Sequence, residues 1–139
     1  MRLTRGSDYG LRGMLYMARQ PLGQICLVSQ VAAAENLPET YLAKIFQDLA
    51  RNRLLTSHRG AKGGFSLIND PQDISLLDVI EAVEGHIAIA PCLDVREGCD
   101  RVDICEIHPV LDSAQAHMLS VLKNTTLADL VLGKNDREH

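Results

Sequence analysis

The chain has no tryptophan, only five histidines and no stretch approaching the roughly eighteen consecutive apolar residues that a membrane-spanning helix needs. It also lacks an internal repeat and any low-complexity tract, which leaves about one domain's worth of material in 139 residues. No nucleophile stands beside a base and an orienting partner, and no nucleotide-binding fingerprint is present, so an enzyme acting on a small-molecule substrate is not expected. The one glycine-rich stretch carrying a lysine, Gly60-Ala61-Lys62-Gly63-Gly64, lacks the Gly-Lys-Ser/Thr ending of a phosphate-cradling loop and opens no helix. The N-terminus carries Arg2 and Arg5 and no apolar run, so no signal peptide is expected and the expected compartment is the reducing cytoplasm. Disulfides are correspondingly not expected.

What is present is unevenly distributed. Hydrophobic residues make up 46% of the chain, enough for a packed core. The net charge of -4 argues against nucleic acid until it is divided by position. Residues 1–70 hold nine Lys or Arg against five Asp or Glu, whereas residues 71–139 hold five against thirteen. A basic half can bind a polyanion while an acidic half stays clear of it, because screening removes most influence beyond about 10 Å.

In the basic half the pattern predicts a helix capped by Ser7, with Tyr9, Leu11, Met14, Leu15 and Ala18 at helical spacing, ending before Pro21. A short helix over 30–35, capped by Ser29 with Val31 and Ala34 on one face, is broken by Asn36. Leu37 and Pro38 make a turn into a longer helix over 39–52, whose stripe is Tyr41, Leu42, Ile45, Phe46 and Leu49. Strands at 54–57 and 65–68 flank the glycine-rich tip. Each part has a plain alternative: the helix pair as ordinary core, Lys62 as a solvated charge at a hairpin tip. Their order is that of a winged helix-turn-helix. On this reading Glu39, Thr40 and Lys44 of the second helix approach base edges in the major groove, and Tyr41 is also expected among the DNA-binding residues. Arg59 and Lys62 on the wing reach phosphates or the minor groove, and Arg2, Arg5 and Arg12 add phosphate contacts.

Past Pro71, Ser75 caps a helix carrying Leu76, Leu77, Val79, Ile80 and Val83, and Gly85 ends it. Pro109 stands in the first turn of a long helix in which Leu111, Ala114, Met118 and Val121 follow a coiled-coil seam. Little chain remains to cover that seam. A two-fold homodimer is expected, which places two recognition helices about one DNA turn, roughly 34 Å, apart for a pseudo-palindromic double-stranded operator. The expected class is therefore mainly α with a small β-hairpin wing. It divides into a DNA-binding region at 1–70, a dimerisation helix with a cysteine-rich loop at 71–132, and a disordered tail at 133–139.

Between the two later helices lie Cys92, Cys99, Cys105 and His108, separated by six, five and two residues. These are four soft or borderline donors, enough for a zinc ion or an iron-sulfur cluster, and spacing alone leaves both open. Three clustered cysteines cannot all pair with one another. Cys26 stands apart and reads as a small buried residue.

Several motifs together resemble a known family over nearly the whole chain. They are the opening Met-Arg-Leu-Thr, Tyr41-Leu42, the wing Arg-Gly-x-x-Gly-Gly-Phe, the run Ile80-Glu81-Ala82-Val83-Glu84-Gly85 and the three late cysteines. This pattern resembles the dimeric winged-helix iron-sulfur transcription regulators of the NsrR/IscR family. The resemblance implies a DNA-binding regulator, usually a repressor, whose iron-sulfur cluster senses nitric oxide, redox or iron-sulfur status and tunes operator affinity. It also implies two options for the fourth ligand. NsrR-like members complete a four-iron (4Fe-4S) cluster with an aspartate of the other subunit, matched by Asp8; IscR-like members hold a two-iron (2Fe-2S) cluster with a histidine, matched by His108. Where IscR-like members carry an operator-discriminating glutamate, this chain has Ala43. Alternatively, Asp8 favours the helix N-terminus electrostatically, His108 caps its helix, and the cysteines hold structural zinc or act as a thiol redox sensor.

Overall fold

Thr4 starts the first helix. Its side chain accepts the Ser7 amide, giving α1 over Arg5–Ala18. The expected cap at Ser7 is thus corrected: Ser7 lies inside α1, is fully buried, and donates its hydroxyl to Glu84. The computed structural model describes residues 2–61, 63–94 and 96–133; Lys62 and tail residues 134–139 lie outside them. Among the described residues no helix is long and apolar enough to cross a membrane.

Helix α2 spans Val28–Glu35 and begins earlier than the Ser29 cap predicts, because the Gln30 side chain accepts the Leu27 amide at 3.0 Å. Its buried face is Val31 with Ala32, while Ala34 is exposed. Asn36 ends it in the left-handed region at φ 55°, a conformation Asn tolerates better than most residues. Helix α3, Glu39–Arg51, buries Leu42, Ile45, Phe46 and Leu49. Tyr41, expected in that stripe, is 38% exposed and rests edge-on against Tyr9 with centroids 5.4 Å apart.

Strands β1 (Leu55–His58) and β2 (Gly64–Leu67) form an antiparallel hairpin with Leu55 opposite Leu67 and His58 opposite Gly64. Cys26 joins it through a two-way backbone bridge to Phe65, with N···O distances of 2.8 and 2.9 Å. Gly64 is needed there: its φ is 152° and a Cβ would lie 2.4 Å from the Cys26 carbonyl oxygen. Phe46 meets Phe65 edge-on at 5.4 Å, locking the wing against α3. Fully burying such side chains contributes about 1.5–3 kcal/mol each.

Helix α4, Leu76–Glu84, is capped by Ser75 as the sequence predicts and packs extensively on α1. Small residues on α1 allow the close approach of α3 as well as α4. A Cβ on Gly13 would fall 2.6 Å from Cε1 of the fully buried Phe46, and one on Gly10 would fall 3.3 Å from Val83. Helix α5, His108–Asn124, has no buried residue. The chain then returns: Ser75 bridges Thr126, and a sixth helix, α6 (Leu127–Leu132), sets Leu127 into the core against α1. That return is absent from the sequence reading.

Candidate functional site

Four of the expected DNA-facing side chains line two adjoining depressions that share Thr4. Arg2 and Arg5 flank the Thr4 cap and line an open depression with Asp8. Tyr41 and Lys44, on the first turns of α3, line the adjacent groove with Thr4 and Glu84. Glu39, Thr40, Tyr41, Lys44 and Arg59 are exposed, as are Arg2, Arg5 and Arg12. Of the expected set only Lys62 falls outside the described residues. Arg2 and Arg5 at the start of α1 and Tyr41 and Lys44 on α3 thus present cations and a hydroxyl around Thr4. Such a surface suits phosphate positioning and base-edge contact.

Asp8 lies in the first turn of α1 and pairs with Arg12 at 3.4 Å, both side chains about half exposed. A pair this exposed contributes only about 0–1 kcal/mol, so its carboxylate exchanges partners readily.

The cysteine segment is built of short turns. Pro91–Leu93 forms one turn of 3-10 helix carrying Cys92, and the Asp94 amide donates to the Pro91 carbonyl at 3.1 Å. Asp94 accepts from the Arg96 amide at 2.9 Å and from its Nε and Nη2 at 3.1 Å. Those bonds hold its carboxyl below the usual carboxylate range. Gly98, at φ 69°, then turns the chain toward Cys99. All four cysteines are free: Cys92 and Cys105 are half-buried and Cys99 exposed. Cys26 is buried, as expected, and burial pushes its thiol up. The segment is moored to α5 where the Ile89 amide donates to Gln115 Oε1 at 2.9 Å.

His108 opens α5 at its first position, preceded by Ile107 as the cap; the alternative of a His108 cap is corrected accordingly. Its Nδ1 is buried and has no hydrogen-bond partner, a costly state for a ring nitrogen. In kind, the donor set fits a thiolate-bound cluster: three free thiols followed by an imidazole nitrogen that lacks a partner. Among the described residues, however, the chain gathers no group of three or more His, Cys, Asp or Glu side chains fit to hold a metal.

One residue the sequence reading gave no role is Glu84. Its Oε2 accepts the Thr4 amide at 3.0 Å, the Thr4 hydroxyl at 2.9 Å and the Ser7 hydroxyl. Burial alone pushes its carboxyl up, but these bonds outweigh it and hold the group below its ordinary value. A signal existed in the sequence: an acid in the last turn of a helix opposes the macrodipole and so calls for a dedicated partner.

Known proteins bear on this arrangement. The chain is 32% identical over 137 residues to the HTH-type transcriptional regulator NsrR of Shouchella clausii (strain KSM-K16), covering 98% of this chain and 92% of that protein. Its fold matches CymR, the global cysteine regulator of B. subtilis, with TM-score 0.71, 28% identity and coverage of 94% and 95%. It also matches the fold of T. potens IscR, with TM-score 0.74, 23% identity and coverage of 100% and 92%. With its winged-helix fold in place and residues 3–133 matching Rrf2, the iron-dependent transcriptional regulators, the chain belongs to that family.

Proposed function

We propose that this regulator is a homodimeric, operator-binding repressor whose affinity for DNA is set by an iron-sulfur cluster on the cysteine segment. Cys92, Cys99 and Cys105 would hold it, with His108 as fourth ligand or, in its place, Asp8 of the other subunit. When bound, such a cluster supplies a centre that reacts with nitric oxide and oxygen and responds to iron supply. The observation that carries the reading is the buried, partnerless Nδ1 of His108 directly after three free thiols. Support for the dimer comes from α5, where Val110 and Val121 are 66% and 65% exposed and no residue is buried. A helix left this bare calls for a second copy. The chain's own part in the mechanism is to hold Arg2, Arg5, Thr40, Lys44 and Arg59 in register with the duplex and to let the cysteine segment bias that register.

The test is absorption spectroscopy with iron and acid-labile sulfide analysis of anaerobically purified protein, beside Cys99→Ser, Asp8→Ala and His108→Ala variants. The expected result is a coloured protein that loses iron and sulfide in Cys99→Ser and in only one of the other two. A colourless protein without iron overturns the reading. A second reading puts structural zinc or a thiol redox sensor in the same regulator; the free, exposed Cys99 favours the thiol sensor. Zinc in the colourless preparation supports it.

A further inference from the structure

The last turn of α4 is hydrogen-bonded to both DNA-facing helices. Glu84 ends α4, and Gly85, at φ 83°, immediately turns the chain toward the cysteine segment. The Glu84 carboxylate receives both donors of Thr4 at 3.0 and 2.9 Å, together with the Ser7 hydroxyl. Thr4 in turn caps α1 by accepting the Ser7 amide at 3.1 Å. Two residues before Glu84, the Ala82 carbonyl accepts Asn52 Nδ2 at 3.1 Å, and Asn52 caps the far end of α3. Val79 and Ile80, fully buried, seat the same helix in the core.

We infer that Glu84 is the positioning residue through which the state of the cysteine segment reaches the DNA-facing helices, an inference that rests on the function proposed above. The argument is mechanical. A displacement of the chain past Gly85 acts on Glu84 through one peptide unit. Because all three donors converge on one carboxylate oxygen, a shift of about 1 Å takes them out of hydrogen-bonding range unless Thr4 follows. Ser7 is fully buried, so breaking its bond strands a dry hydroxyl. The lower-cost response is for the start of α1 to move with α4, carrying Arg2 and Arg5 on either side of Thr4. Asn52 transfers the same movement to the recognition helix.

The experiment uses the full-length protein, cluster-loaded and stripped under anaerobic conditions, and a duplex recovered by selection with this protein from a random-sequence pool. Affinities are read by fluorescence anisotropy at one salt concentration. For wild type the two forms are expected to differ by roughly 5 to 150-fold. Glu84→Ala removes the acceptor that gathers the three donors; it is expected to keep the cluster absorption while the ratio between forms falls to about 1. Thr4→Val and Ser7→Ala, which remove donors and leave the carboxylate, are expected to narrow the ratio likewise and keep the inference testable if Glu84→Ala fails to fold. Amide exchange of residues 2–8 gives a readout independent of DNA: it should differ between loaded and stripped wild type and not between the two forms of Glu84→Ala. Variants that keep the wild-type ratio, even with both affinities uniformly weakened, overturn the inference. A wild-type ratio of one is a separate result, which removes the sensing reading itself.

Discussion

The winged-helix unit and the segment beyond Gly85 solve opposite problems. In the first, every helix covers another: Met14, Leu42, Phe46, Leu49 and Leu55 are at most 1% exposed, and the wing is pinned by Phe65. In the second, Ile87 is buried, and then no described residue from 88 to 126 is buried until Leu127 returns to the core. Ile104, Ile107, Val110 and Val121 stand 63–75% exposed along and just before α5. One region holds a packed core that Leu127 completes, whereas the other leaves its apolar side chains uncovered. This contrast puts packed helices beside a sparsely covered segment, the combination that the proposed switch requires.

The contrast breaks most visibly at α5. Replacing Val110 and Val121 together by Glu should yield a monomer in sedimentation, with operator affinity falling by about 100-fold or more, roughly 2.7 kcal/mol, while the cooperative thermal transition of the winged-helix unit persists. Unfolding of the unit together with loss of the dimer would show that the two regions are not independent. The opposite perturbation, Gly13→Ala, drives a methyl into Phe46 and should destabilise by about 1–3 kcal/mol in urea unfolding without altering the dimer.

Much of the first region was legible because its signals are local and periodic. The stripe Leu42, Ile45, Phe46, Leu49 and the cap at Ser75 each follow from a few neighbouring residues. Ser7 misled because Thr4 and Ser7 are both capping types three apart, and only the distant Glu84 decides which one caps. Helix α6 was missed because six residues are too few to show a period, and Leu127 is buried by α1, far away in sequence. The cysteines were visible as donors from their spacing, but the partnerless nitrogen of His108 and the Glu84 clamp are properties of packing.

Smaller effects sharpen the division. Arg59→Ala should weaken binding uniformly across duplex sequences and lower the salt slope of log K by about 1, as expected for one lost phosphate contact. A change in sequence preference would instead make it a base reader. The smallest effect concerns acid. The folded-state carboxyl of Glu84 lies below its ordinary value of about 4.3, so its stabilising contribution is complete above that pH and is lost as pH falls through the lower folded value. Glu84→Gln should therefore flatten the acid limb of the stability curve measured by urea unfolding, and an unchanged limb would show that the clamp does not titrate there.

The central claim is that the state of the cysteine segment sets how the winged-helix unit grips DNA. Anaerobic titration of one selected duplex with loaded wild-type protein, repeated after the iron is removed, tests it directly. The account predicts affinities differing by about 5-fold or more; equal affinities for the two forms would contradict it.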